Sequence, residues 1–199
     1  MSTKLMFIRH GVTSWNRQKK YCGTLDVPLS PQGRRQARRL QAKFKKENIS
    51  RVYSSDRKRA MQTAKIVFKN VRIEPLAELR EIHFGLFEGL THAEILKKYN
   101  NLYRQWLKDP FSISPPGGED MKKFKQRILG ALKHILKDNP NANVAVVCHG
   151  GVIGILCSSV KRSKDFWRHI PASASISVIE HGHRRLRLVS FNERGHLNG

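Results

Sequence analysis

Cysteine is scarce in this chain of 199 residues, with three in all, Cys22, Cys148 and Cys157. An odd, sparse set supplies neither a disulfide framework nor a C-x-x-C pair. Long apolar runs are missing too, and none approaches the ~20 residues a membrane span requires. The opening segment "MSTKLMFIRHG" holds only four consecutive apolar residues, short of the ~7–15 that form the core of a secretory leader. A cytoplasmic location is therefore expected, and the N-x-S match at Asn48–Ser50 is then irrelevant. Acidic residues are the third shortage: 15 Asp and Glu face 38 Lys and Arg, for a formal charge of +23. Such a surplus attracts nucleic acid, anionic membrane surfaces or phosphorylated small molecules. The basic residues recur in many short clusters with apolar residues between them at helical or strand spacing. That pattern reads as the solvated faces of ordinary elements rather than a dedicated nucleic-acid surface.

What is present is enough for one substantial core. A 39% hydrophobic content fits a globular chain, and no linker, repeat or composition break divides residues 1–199 into more than a single domain. Strands are expected at Lys4–Ile8, Arg51–Ser55, Val71–Leu76 and Asn143–Cys148. The last is a continuous apolar run of the kind buried parallel strands show. Ser30 as N-cap and Pro31 at the first position start a helix with Ala37, Leu40 and Phe44 inward. A second helix follows Ser54 or Ser55 as its cap. Two further helices are expected at Thr91–Tyr99 and Leu102–Lys108, and a long amphipathic one over Glu119–Asp138. "VIGILCSSV" is helical, and "SISVIEHGHRRLRLVSF" alternates on either side of His181-Gly182 as an antiparallel hairpin. The expected architecture is α/β: three layers, α/β/α, with a mostly parallel central sheet and an antiparallel C-terminal edge hairpin.

Two of these strands end alike. Leu5–Ile8 runs into Arg9-His10-Gly11, and Val144–Cys148 runs into His149-Gly150. In open α/β sheets ligands bind outside the carboxyl ends of the strands, and a glycine lets backbone approach a ligand closely. Either histidine alone reads as a strand terminus with a hydrogen-bond partner. Two of them, one beside Arg9, point to a site. Other chemistries find no support: G-x-x-x-x-G-K-[ST], G-x-S-x-G and H-E-x-x-H are all missing. No acidic or cysteine partner follows either histidine at metal-ligand spacing.

The ordered blocks "RHG" (Arg9–Gly11), "TSWN" (Thr13–Asn16), "YCGTLDVPLSPQGRRQA" (Tyr21–Ala37), "YSSDRKRAMQTA" (Tyr53–Ala64), "LREIHFGLFEG" (Leu79–Gly89), "PPGGED" (Pro115–Asp120) and "VVCHGG" (Val146–Gly151) resemble the histidine phosphatase superfamily. The branch is the one that includes cofactor-dependent phosphoglycerate mutases. The resemblance implies a phosphomonoester hydrolase in which His10 is transiently phosphorylated. Arg9 and a second arginine would clamp the phosphoryl oxygens in fork geometry. The family pattern places that arginine directly before A-x-Q-T-A, which selects Arg59. Arg57, where a leucine-like residue is usual, then reads as a surface charge. His149 would stabilise the transition state, and Cys148, at a position usually Ser or Thr, reads as an inert buried thiol.

Glu81 matches the family acid that protonates the leaving group, with Glu78 and Glu88 as nearby rivals. Gly11, Asn16, Cys22, Gly23, His83 and Gly150 are the expected substrate-binding positions, His83 either orienting substrate or packing under its loop. No metal and no cofactor are expected. The partner implied is a small phosphate ester. The "YCGTLDVPLSPQGRRQA" block resembles α-ribazole phosphatases, with broad-specificity and metal-independent phosphoserine phosphatases as close relatives. The substrate-selecting loops are placed at Ile82–Thr91 and Leu102–Pro116. A phosphoglycerate mutase-type phosphotransferase is the alternative, disfavoured by the short segment between the Glu81 loop and the long helix. A non-catalytic nucleic-acid-binding protein is a more distant one. The sequence leaves a homodimer open.

Overall fold

The computed structural model describes residues 2–183 and 185–197. Six strands form one sheet: β1 (Thr3–Arg9), β2 (Arg51–Ser54), β3 (Ile73–Pro75), β4 (Asn143–Cys148), β5 (Ile176–Gly182) and β6 (Arg185–Glu193). Their order across the sheet is β3-β2-β4-β1-β5-β6. β3, β2, β4 and β1 pair parallel, while β5 and β6 add antiparallel at one edge. This is the expected mostly parallel α/β sheet with an antiparallel edge hairpin.

The period-two alternation of the central strands sorts their side chains to two faces. Leu5, Phe7, Val144, Val146 and Cys148 join one buried cluster with α5 (Met121–Asp138) and α6 (Gly150–Lys161). Met6, Ile8, Ala145 and Val147 join the other, under α2 (Pro31–Phe44) and α3 (Lys58–Val67). With both faces covered, central strands can be apolar throughout. A satellite cluster of Phe87, Ile95, Tyr103 and Trp106 packs α4 (His92–Lys108) onto the loop before it. A short helix, α1 (Ser14–Arg17), follows β1.

The two helices expected around Thr91–Tyr99 and Leu102–Lys108 are the two arms of α4, separated by a kink where Tyr99 leaves helical geometry at φ −135°, ψ 33°. Other local expectations change. Asp120 rather than Glu119 starts α5, its carboxylate accepting from the backbone N–H groups of Lys122 and Lys123. Neither Ser54 nor Ser55 caps α3; Arg57 is its N-cap and makes no side-chain cap bond. Ser54 Oγ donates instead to the Ser55 carbonyl, and the Ser55 hydroxyl is committed elsewhere.

Candidate active site

β1 and β4 lie side by side with Arg9 opposite Cys148. The next residues, His10 and His149, therefore emerge together past the carboxyl ends of two central strands. Both are buried, and their rings meet edge to face with centroids 5.2 Å apart. His10 Nδ1 lies 2.8 Å from the Gly11 carbonyl oxygen. Nδ1–H thus donates to that oxygen, and Nε2 keeps its lone pair. His149 Nε2 sits 2.8 Å from Ser55 Oγ. That hydroxyl also accepts from the Arg57 backbone N–H at 3.4 Å; with its own proton donated to His149 Nε2, the imidazole proton sits on Nδ1.

Burial, then the charges of Arg59 and Arg9, hold His10 well below the usual histidine pKa. Burial, followed by Arg59, His10 and Arg9, does the same for His149. Both rings are neutral at pH 7.

Arg9 lines the cavity beside His10 and donates from Nη1 to the Pro171 carbonyl. Arg59, buried in the first turn of α3, donates to the carbonyls of Leu25 (3.0 Å), Gly23 (2.8 Å) and Cys22 (3.2 Å). It therefore charges the site and fastens the Cys22–Leu25 loop at once. Arg9 Nε, Arg59 Nε and His149 Nδ1 are buried without a hydrogen-bond partner among the described residues. An unsatisfied buried donor costs about 1–3 kcal/mol. Unpaired donors beside neutral imidazoles suit an anion; Arg9 lines the cavity itself, while Arg59 and His149 stand behind its lining.

Glu81 lines the same cavity. Its Oε2 accepts from Gly151 N at 3.0 Å and its Oε1 from Ile82 N at 3.1 Å. The backbone on either side of it is gripped by Arg127 of α5. That guanidinium donates to the carbonyls of Glu78 (2.7 Å), Arg80 (2.8 Å) and Glu81 (3.2 Å) and to the Glu119 carboxylate. The rival carboxylates lie elsewhere. Glu78 is exposed. Glu88 is fully engaged, accepting from Thr24 N (2.8 Å), Thr24 Oγ1 (2.9 Å), Leu25 N (3.0 Å) and Phe84 N (3.2 Å).

Asn16, Cys22 and Gly150 also line the cavity. Asn16 Oδ1 accepts from Thr13 N and Thr13 Oγ1, each at 3.0 Å, so its amide nitrogen is the available donor. Gly11, Gly23 and His83, expected at the substrate, stand behind the lining. A Cβ on Gly11 would lie 2.6 Å from the Gly33 carbonyl oxygen, and one on Gly23 2.2 Å from that of Ile82. These two glycines permit close backbone approach and present carbonyls to His10 and Arg59. His83 is half exposed beside Glu88, with Nε2 3.6 Å from Oε1. Arg57 is half-buried rather than a free surface charge. Cys148 is fully buried, and burial followed by the Glu81 charge pushes its thiol pKa far up.

Sequence reasoning missed Arg127 and Gly151. It also missed the cavity walls outside the two loops it named: Lys19, Lys20 and Tyr21 after α1, and Phe166, Trp167 and Ile170 after α6. No spacing rule marks these residues, because they converge only in three dimensions. Among the described residues no cluster of three or more His, Cys, Asp or Glu is placed to hold a metal, and no helix is long and apolar enough to cross a membrane.

Residues 5–194 match the histidine phosphatase superfamily (branch 1). The chain belongs to this superfamily. Its relatives there include phosphoserine phosphatase 1 of Hydrogenobacter thermophilus, 33% identical over 98% of this chain and 94% of that protein. Among solved structures, Bacillus stearothermophilus YhfR superposes with a TM-score of 0.93 at 29% identity, covering 98% of this chain and 100% of that one. A putative α-ribazole-5′-P phosphatase from Escherichia coli gives 0.88 at 26% identity, covering 96% and 97%. As a histidine phosphatase, the chain carries its paired histidines directly after two adjacent central strands, β1 and β4.

Proposed function

We propose that this histidine phosphatase is a phosphomonoester hydrolase that works through phospho-His10 on a small phosphorylated metabolite. The observation that carries the reading is the His10–His149 pair, two neutral imidazoles 5.2 Å apart under the charges of Arg9 and Arg59.

His10 Nε2, freed by the Nδ1–H bond to Gly11, attacks phosphorus as the ester P–O bond breaks. Arg9, Arg59 and His149 Nδ1–H balance charge on the equatorial oxygens. In its protonated form Glu81 gives a proton to the departing alkoxide oxygen and is left as the carboxylate. It then takes one from the water that attacks phospho-His10, and the N–P bond breaks to release phosphate and neutral His10. Arginine clamps take the place a metal ion holds in other phosphoryl-transfer sites. The likenesses to phosphoserine and α-ribazole phosphatases support hydrolysis of a small ester, with α-ribazole 5′-phosphate as one candidate.

The test is turnover of p-nitrophenyl phosphate in the presence of EDTA, with His10→Ala alongside. Steady release is expected with EDTA. A loss of about a thousandfold or more is expected in the variant, together with loss of an acid-labile, alkali-stable phosphoryl label. Metal-dependent turnover, or activity surviving in His10→Ala, would overturn the reading.

A further inference from the structure

The cavity that contains His10 and Arg9 has a volume of about 390 Å³. Ligand sites of a few hundred Å³ hold whole organic molecules, and liquid water occupies only about 30 Å³ per molecule. A phosphoryl group therefore fills a small part of this space. The remainder belongs to whatever the phosphate is attached to, and its walls describe that group.

Those walls are aromatic and aliphatic. Tyr21 meets Phe84 edge-on with centroids 5.0 Å apart, and Trp106 meets Trp167 at 4.9 Å. Tyr21 and Trp106 stand 5.8 Å apart, so the four rings form one continuous framework. Ile82 and Ile170 add branched aliphatic surface. Polarity enters at one marked place, since the Trp106 indole N–H is buried and shows no surface to the cavity. His92 Nδ1 lies 2.8 Å from Tyr103 Oη, itself 2.8 Å from Tyr21 Oη, a chain that fixes the imidazole at the cavity wall.

The charges lining the cavity are Arg9, Lys19, Lys20 and a single carboxylate, Glu81. That carboxylate is already bonded to Gly151 N and Ile82 N, and the reaction needs it at the leaving oxygen. Glu88, on the same loop as Glu81, accepts with both oxygens from the Thr24–Leu25 and Phe84 backbone. An ammonium group on the substrate meets cations and no free carboxylate.

We propose that this compartment selects phosphate monoesters whose leaving group is a flat, apolar body with no ammonium. Amino-acid esters of the phosphoserine type are disfavoured by the same walls. The proposal rests on the hydrolase reading and narrows its substrate class. Flat rings offer a large contact area to edge-on aromatic walls.

The test compares alkyl esters, so that leaving-group acidity is matched: 2-(1-naphthyl)ethyl phosphate, ethyl phosphate, O-phospho-L-serine and N-acetyl-O-phosphoserine. A kcat/KM about tenfold or more higher for the naphthylethyl ester than for ethyl phosphate or phosphoserine is expected. N-acetylation should improve phosphoserine severalfold. The same order is expected in equilibrium binding of non-hydrolysable analogues, 2-(1-naphthyl)ethylphosphonate against 2-amino-4-phosphonobutanoate, read by tryptophan fluorescence or calorimetry.

Phe84→Leu and Trp167→Leu should each reduce the naphthylethyl advantage about fivefold. The wild-type binding ratio decides the matter even if a variant fails to fold. Phosphoserine or its phosphonate equalling the aryl ligand overturns the proposal. Tight aryl-phosphonate binding without turnover of any ester upholds the compartment and overturns the hydrolase reading alone.

Discussion

The Ser55 hydroxyl stands 2.8 Å from His149 Nε2, and through that bond a residue outside the cavity holds a buried imidazole whose free Nδ1 is the proposed donor to phosphate. Ser55→Ala should let both tautomers of His149 compete, so that only a fraction of molecules present a donor at Nδ1. One lost hydrogen bond of about 1–1.5 kcal/mol corresponds to roughly a tenfold fall in kcat, with KM changed less than twofold. Ser55→Thr, which retains the hydroxyl, should recover most of the rate. Steady-state kinetics on the pair, with imidazole nitrogen shifts from NMR, checks both statements; an unaltered kcat in Ser55→Ala would refute them.

Gly151 offers a separation of activity from stability. A Cβ there would lie 2.3 Å from Glu81 Oε1, and the mobile end of a glutamate is what must yield. Gly151→Ala should displace the acid and lower kcat about a hundredfold, while Tm stays level or rises, because alanine favours the first turn of α6. Thermal melts and kinetics on one preparation test this. A large drop in Tm would mean that the fold, not Glu81, had absorbed the methyl group.

The two loop glutamates should part company in the same manner. Glu81→Gln removes the proton donor and should cost two to three orders of magnitude in kcat, roughly the contribution general acid catalysis makes. Glu88→Gln cannot accept as many hydrogen bonds from Thr24, Leu25 and Phe84. About 1–3 kcal/mol of stability should be lost, with a higher KM and a kcat within severalfold of wild type. Reversal of these two patterns would move the acid role to Glu88.

Acid should destabilise the protein through its own site. His10 and His149 both titrate well below their unfolded value of 6.5. Between that depressed folded range and pH 6.5, the unfolded chain binds more protons than the folded one. Stability therefore rises with pH across this window and is lost as pH falls below 6.5. Each ring contributes a slope of about 1.4 kcal/mol per pH unit within it. Urea titrations from pH 7 to 5 should give a shallower slope for His149→Asn than for wild type by about that amount. Identical slopes would show that His149 keeps its proton affinity when buried.

How much of this was legible beforehand depended on whether a residue's role is written locally. His10 and His149 were readable because each ends an apolar run and the two runs pair as parallel neighbours, Ile8 beside Val147. Ala37, Leu40 and Phe44 were readable because helix periodicity is a local property. Ser55 was misread as a helix cap, since a serine before a helix looks the same whether it serves its own backbone or a histidine 94 positions away. The break between the helices around Thr91–Tyr99 and Leu102–Lys108 is legible too and falls at Tyr99, with Tyr103 and Trp106 packing the second arm. Trp167 and Ile170 left no trace at all. Their meaning comes from facing Trp106 and Gly150 across the cavity.

The parallel pairing of β1 with β4 has one more outcome. Arg9, His10 and His149 extend directly from that strand pair, whereas Tyr21, Phe84, Trp106 and Trp167 hang on separate connecting segments and on α4. The residues proposed for reaction and those proposed for preference thus sit on different footings, one set at the ends of the central strand pair and the other on exchangeable scaffolding. Laboratory selection for a new ester should accumulate replacements in the second group and leave the first untouched.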